Sequence, residues 1–136
     1  MNEKHFKRQP LAVTVGIIAA AALLVSVMLA SELGMTRLEK EVMPLIDEAI
    51  EAARRGDTEG ANRLAEKIDS LLKGAAPALM MIANHRDLMD LLEDSAKAAL
   101  LGAEGERDDY IEELCAVRTT LRFILDNNDL TVGNIL

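Results

Sequence analysis

Tryptophan is absent from the 136-residue chain, aromatic residues make up 2% of it, and there is one cysteine, Cys115. A lone cysteine excludes an internal disulfide and any zinc site built on cysteine pairs. The two histidines, His5 and His85, are too far apart in sequence for a His-x-x-x-His pair. No Asp-rich calcium loop, phosphate-binding glycine loop or serine nucleophile motif is present. Those lacks remove the usual sequence signs of catalysis, so the chain is expected to be no enzyme and to need no metal or other cofactor.

What remains is an apolar half dominated by Ala, Leu, Ile, Val and Met. Unbranched side chains lose little rotamer freedom in a helix, so an all-α fold is expected. The formal charge of -8 is uneven. Residues 1–10 hold Lys4, Lys7 and Arg8 against Glu3, a net of +2; the rest holds 12 basic and 22 acidic groups, a net of -10. A body that acidic repels phosphate backbones, which argues against nucleic acid as a partner.

"LAVTVGIIAAAALLVSVMLA", Leu11 to Ala30, is twenty residues without a charge. At about 1.5 Å per residue it matches a hydrocarbon core roughly 30 Å thick. A cleaved signal peptide is the competing reading, but its apolar stretch is usually about 7–15 residues and its cleavage site small. Here cleavage after Ala30 would put bulky Met28 where a small residue is wanted. An uncleaved anchor is therefore preferred. Three basic residues precede the segment, whereas Arg37 and Lys40 are the only ones in the next fifteen. That bias predicts a cytoplasmic tail over 1–10, a transmembrane helix over 11–33 and an extracytoplasmic helical domain over 34–136. Ala12, Gly16 and Ala20 recur every four residues, a spacing that lets a second membrane helix approach closely, although an Ala-rich span would carry such residues anyway.

The outer domain reads as an antiparallel bundle of about four helices. In "MTRLEKEVMPLIDEAIEAARRG" the apolar positions Leu38, Val42, Leu45, Ile46, Ala49, Ile50 and Ala53 share one face. Thr36 is a candidate cap, Pro44 predicts a kink or restart, Gly56 a left-handed stop, and the first turn can also continue from the membrane helix. Asp57 should cap a second helix that Gly74 ends, with Ala61, Leu64, Ala65, Ile68, Leu71 and Leu72 inward. Pro77 suits the first turn of a third helix running to about Leu101. "GAEGE" is the next turn. A fourth helix is expected from about Glu106 to Asp126, with Ile111, Leu114, Cys115, Leu121, Ile124 and Leu125 inward, and Leu130, Val132, Ile135 and Leu136 could fold back. The first helix pair also looks like half of a tetratricopeptide array, but no second copy at that period is visible.

"NHRDLMDLLEDS" holds the candidate polar site, Asn84, His85 and Asp87. Within a helix His85 would share a face with Met81, Ile82, Leu88, Met89 and Leu92, so a partly buried imidazole bonded to a neighbouring helix is expected. Asp87, Asp90, Glu93 and Asp94 form a solvated acidic face, with Arg86 and Lys97 spaced to pair with Asp90 and Glu93. Cys115 is expected to pack as a small hydrophobe.

The order of parts resembles domain-of-unknown-function family 4363, small membrane proteins chiefly of Gram-positive spore-forming bacteria. The resemblance rests on the basic start, the membrane helix, "GDTEGANRLAEKI", "NHRDLMDLL" and the terminal "NIL". Members often carry a Trp after the Asp of the second helix, where this chain has Gly60. The resemblance implies an anchored outer helical domain and no assigned activity. Two functions follow as expectations. One is a non-catalytic interaction or scaffold module at the cell membrane, with a membrane protein or a second copy as partner. The other is a sensor of a small ligand or cation built on the His85 region.

Overall fold

Four helices make up almost all of residues 9–133, the part described in the computed structural model: α1 (Gln9–Arg54), α2 (Thr58–Leu79), α3 (His85–Glu104) and α4 (Arg107–Gly133). Side chains are described from Ala12 to Asn127, Ser31 excepted. The basic residues of the tail, Ile135 and Leu136 lie outside the described residues, as do the side chains of Leu130 and Val132. No strand occurs among the described residues, as the composition required.

The chain falls into two units, divided between Gly34 and Met35. In the first, the apolar run is helical and outward-facing, with Val13, Ile17, Leu23 and Leu24 all exposed. Ser26 satisfies its hydroxyl inside the helix by donating to the Ala22 carbonyl at 2.8 Å, which removes the cost of an unpaired polar group in an apolar setting. One helix, near the N-terminus, is long and apolar enough to cross a membrane, with a mean hydropathy of 2.6 in its most apolar window.

In the second unit α1 buries Met35, Leu38, Val42, Ile46, Ala49 and Ala53. That stripe, spaced three or four residues apart, passes Pro44 without interruption. Thr36 and Pro44 both lie within the helix, so neither the expected cap nor the expected restart occurs. The reason is positional: Pro44 is on the exposed side of the helix, as is Lys40, whose carbonyl loses its donor.

Gly56, with φ of 77°, ends α1. Its N–H donates to the Ala53 carbonyl at 3.0 Å and the Asp57 N–H to the Ala52 carbonyl at 2.9 Å. These are the paired bonds of a left-handed helix end. Asp57 then caps α2, accepting from the Gly60 N–H at 2.9 Å. Gly74 and Pro77 do not break α2 as expected; the helix runs on to Leu79. The buried series Ile68, Leu72 and Leu79, with Ala75 packed beside it, continues through both residues. Core burial on one face outweighs the weak helix preference of an exposed Gly and Pro on the other. Consequently α3 starts at His85 rather than near Pro77, after a turn over residues 80–84. Gly105, with φ of 79°, closes α3 as "GAEGE" indicated.

α2 packs on α3 and α3 on α4. Arg118 of α4 pairs with Asp47 of α1, and buried residues of all four helices belong to one core. The inward face of α4 is Tyr110, Leu114, Val117, Leu121, Ile124 and Leu125. Cys115, expected inward, is exposed. Tyr110 supplies a larger side chain for burial and turns the stripe by about one residue.

Candidate functional site

Asn84 has extended backbone angles, and its Oδ1 accepts the Arg86 N–H at 3.0 Å. It therefore caps α3. His85 follows as the first helical residue and is exposed, which overturns the expectation of a partly buried imidazole held by another helix. The expectation failed because α2 extends past Pro77, leaving His85 at a helix start instead of mid-helix. Asp87, half-buried in the first turn, lies where the helix dipole favours a carboxylate. The three residues share a helix start, where Asn84 caps the backbone and Asp87 complements the helix dipole.

Further along α3 the acidic side chains are not equivalent. Asp90 and Glu93 are exposed, while Asp94 is half-buried. Burial pushes the Asp94 carboxyl above its usual range, with Asp90 and Glu93 adding to the rise and Lys97 opposing it. Lys97 pairs with Glu93 at 3.4 Å, as its spacing suggested, and lies 4.0 Å from Glu113 of α4. Glu113 is the largest influence holding the Lys97 ammonium above its ordinary value, followed by Glu93.

Two polar links in the core were not foreseen. Ser95, 1% exposed, donates toward the Asp69 carboxylate of α2 at 3.0 Å and the Leu92 carbonyl at 3.1 Å. Lys73 holds the other carboxylate oxygen at 2.6 Å. The sequence clue was a serine within the buried series Leu88, Leu91, Ser95, Ala98 and Gly102. The second link is Tyr110, whose hydroxyl donates to the Ala61 carbonyl at 2.7 Å. Its ring lies against Gly102, where an added Cβ would come 2.9 Å from Cε2. Both links set how neighbouring helices align.

A cleft of about 50 Å³ lies between the Gly56 and Gly105 turns, lined by Ala53, Thr58, Leu101, Gly102 and Tyr110 among others. That is well below the roughly 300 Å³ where small-molecule pockets begin. A wider groove of about 360 Å³ runs along α3 and α4 past Lys97, Leu100, Asp109, Glu112 and Glu113. Another, of about 290 Å³, is edged by Glu48, Arg55, Arg63 and Lys67. Among the described residues, no three His, Cys, Asp or Glu side chains converge as metal ligands would.

In the first unit Ala12, Gly16 and Ala20 are all exposed, and a Cβ added at Gly16 would meet nothing within 4 Å. The other side chains of residues 12–30 are exposed as well, so exposure does not set this face apart. No family model matches the chain, and neither a curated protein nor a solved structure is similar to it at a significant level.

Proposed function

We propose that the chain is a membrane-anchored, non-catalytic interaction module whose helical bundle lies outside the cytoplasm. The observation that carries this reading is the contrast between two apolar surfaces. The bundle buries its own stripes completely, with Val42, Ile46, Leu72, Leu91 and Leu114 at 0% exposure, whereas the most apolar window of α1 has 0% of its residues buried. So long an exposed apolar helix is costly to keep in water and matches what a bilayer takes up. Lys4, Lys7 and Arg8 before the span, against Arg37 and Lys40 in the fifteen residues after it, favour the cytoplasmic N-terminus.

What supports an interaction role over a sensor is the polar chemistry. His85 faces solvent, Asn84 is occupied as a cap, and the cleft beside Tyr110 measures only about 50 Å³. Ser95, Asp69 and Tyr110 are bonded across helices, so their polar atoms serve packing. Membership of the family that the sequence resembles would add no activity to this reading. Crosslinking in native membranes, followed by identification of the attached chains, tests it. A reproducible partner or a self-crosslinked dimer is expected; recovery of the uncrosslinked monomer alone contradicts it.

A further inference from the structure

Beside its buried series, α3 carries a second apolar line that stays exposed for most of its length. Met89, Leu92, Ala96, Leu100 and Ala103 follow one another at steps of 3, 4, 4 and 3 residues, and at about 100° per residue they fall within an arc of about 80°. Met89 and Leu100 are 51% and 60% exposed, Ala96 and Ala103 are exposed, and Leu92 is half-buried. Single exposed apolar side chains are ordinary, but this line covers about four turns of one helix without a polar member.

Charge runs beside this line in alternating order. Arg86, Glu93, Lys97 and Glu104, all exposed, lie within an arc of about 40°. They form the flank toward α4, where Lys97 comes 4.0 Å from Glu113. Their signs read plus, minus, plus, minus at steps of 7, 4 and 7 residues. Glu93 and Lys97 pair within the helix at 3.4 Å. Arg86 and Glu104 make no ion pair among the described residues.

Both patterns are symmetric about nearly the same point. A second α3 laid antiparallel sets Met89 against Ala103, Leu92 against Leu100 and Ala96 against itself, because the members of each pair lie equally far from Ala96. The same arrangement sets Arg86 against Glu104 and Glu93 against Lys97, equally far from Ser95, so each facing pair is of opposite sign. Asp90 falls level with Leu100 and Leu101 of the second copy and opposes no acid. Met89 meets a small residue, and alanine at the centre lets the two helices approach. In a twofold contact residue i meets j while j meets i, so the face must be its own complement. A partner of another sequence would require no such symmetry.

We propose that this face of α3 binds a second copy of the chain, with the two α3 helices antiparallel about Ala96. The proposal rests on the interaction reading above and names the partner as the chain itself. The test uses the full chain with Cys115→Ser, taken from membranes into mild detergent, where two bundles are free to meet in either direction. Single cysteines are placed by Met89→Cys, Ala96→Cys or Ala103→Cys and oxidised mildly; all three positions are exposed, so the bundle keeps its own core. A disulfide needs Cα atoms roughly 4.4–6.8 Å apart. A homodimer is therefore expected from Ala96→Cys, and a heterodimer when Met89→Cys and Ala103→Cys chains are mixed, with several-fold less from either of these alone. Arg86→Glu should lower the yield at 96 several-fold, and adding Glu104→Arg should restore it. Those two positions are about 27 Å apart along one helix, so the rescue reads a contact between copies. Equal homodimer yields at 89, 96 and 103 show a parallel contact and overturn the proposal, as does a failed rescue. A chain that needs detergent for its release yet gives no disulfide at 96 overturns the pairing while leaving the anchored module intact.

Discussion

The Tyr110 hydroxyl of α4 donates to the Ala61 carbonyl of α2 across the bundle, 2.7 Å away and fully buried. Burial pushes this phenol up to about 12 from its usual 10. Since it is the only tyrosine and there is no tryptophan, its titration can be followed by ultraviolet absorbance without assignment. A raised pKa means that the protonated form is favoured in the fold. Its stabilising contribution is complete below pH 10 and is lost as pH rises through about 12. A titration midpoint near 10 in the folded protein would contradict the burial.

Substitution separates the two halves of that contact. Tyr110→Phe keeps the ring and loses the bond, and because Ala61 also sits in a helix ladder, the expected loss is only about 1 kcal/mol. Gly102→Ala adds a methyl 2.9 Å from the Tyr110 ring and 3.4 Å from the Asn62 Cα. Helix preference favours Ala by roughly 0.5–1 kcal/mol, but overpacking costs about 1–3 kcal/mol, so net destabilisation is expected in urea unfolding. A more stable Gly102→Ala protein would show that the ring is not held there.

At the start of α3 the account ranks two neighbours. Asn84→Ala removes the cap and should cost about 1 kcal/mol. His85→Ala changes an exposed side chain and should stay within about 0.5 kcal/mol. Thermal melts of the two variants decide the matter, and a larger loss at His85 would restore a structural role for the imidazole.

Asp94 gives a prediction with a definite sign. Its carboxyl is raised in the fold, so its relative stabilisation is full below its usual value of 3.8 and is lost as pH rises through the folded value. Asp94→Asn should therefore melt slightly higher than the parent at neutral pH, on the order of 1–2 °C for a half-buried group that solvent still screens, with the gap closing in acid. A lower melting point at neutral pH would mean that attraction to Lys97 outweighs burial.

Much of the fold is written in local chemistry. Gly56, Asp57 and Gly105 each do what their residue type does at a helix end, and the spacing of Leu38 to Ala53 marks a buried face directly. Pro44, Gly74 and Pro77 misled because their local effects are weaker than burial of the stripe on the opposite side of the same helix. That error moved the start of α3, and with it the setting of His85. The Ser95 to Asp69 bond joins residues 26 apart in sequence, and no periodicity in either helix announces it.

The central claim is that the apolar part of α1 stays in the bilayer as a tether, and alkaline extraction of membranes from cells making the full chain tests it most directly. The account predicts that the polypeptide sediments with the lipid at the mass of all 136 residues. A soluble polypeptide shortened to begin after Ala30 would contradict it.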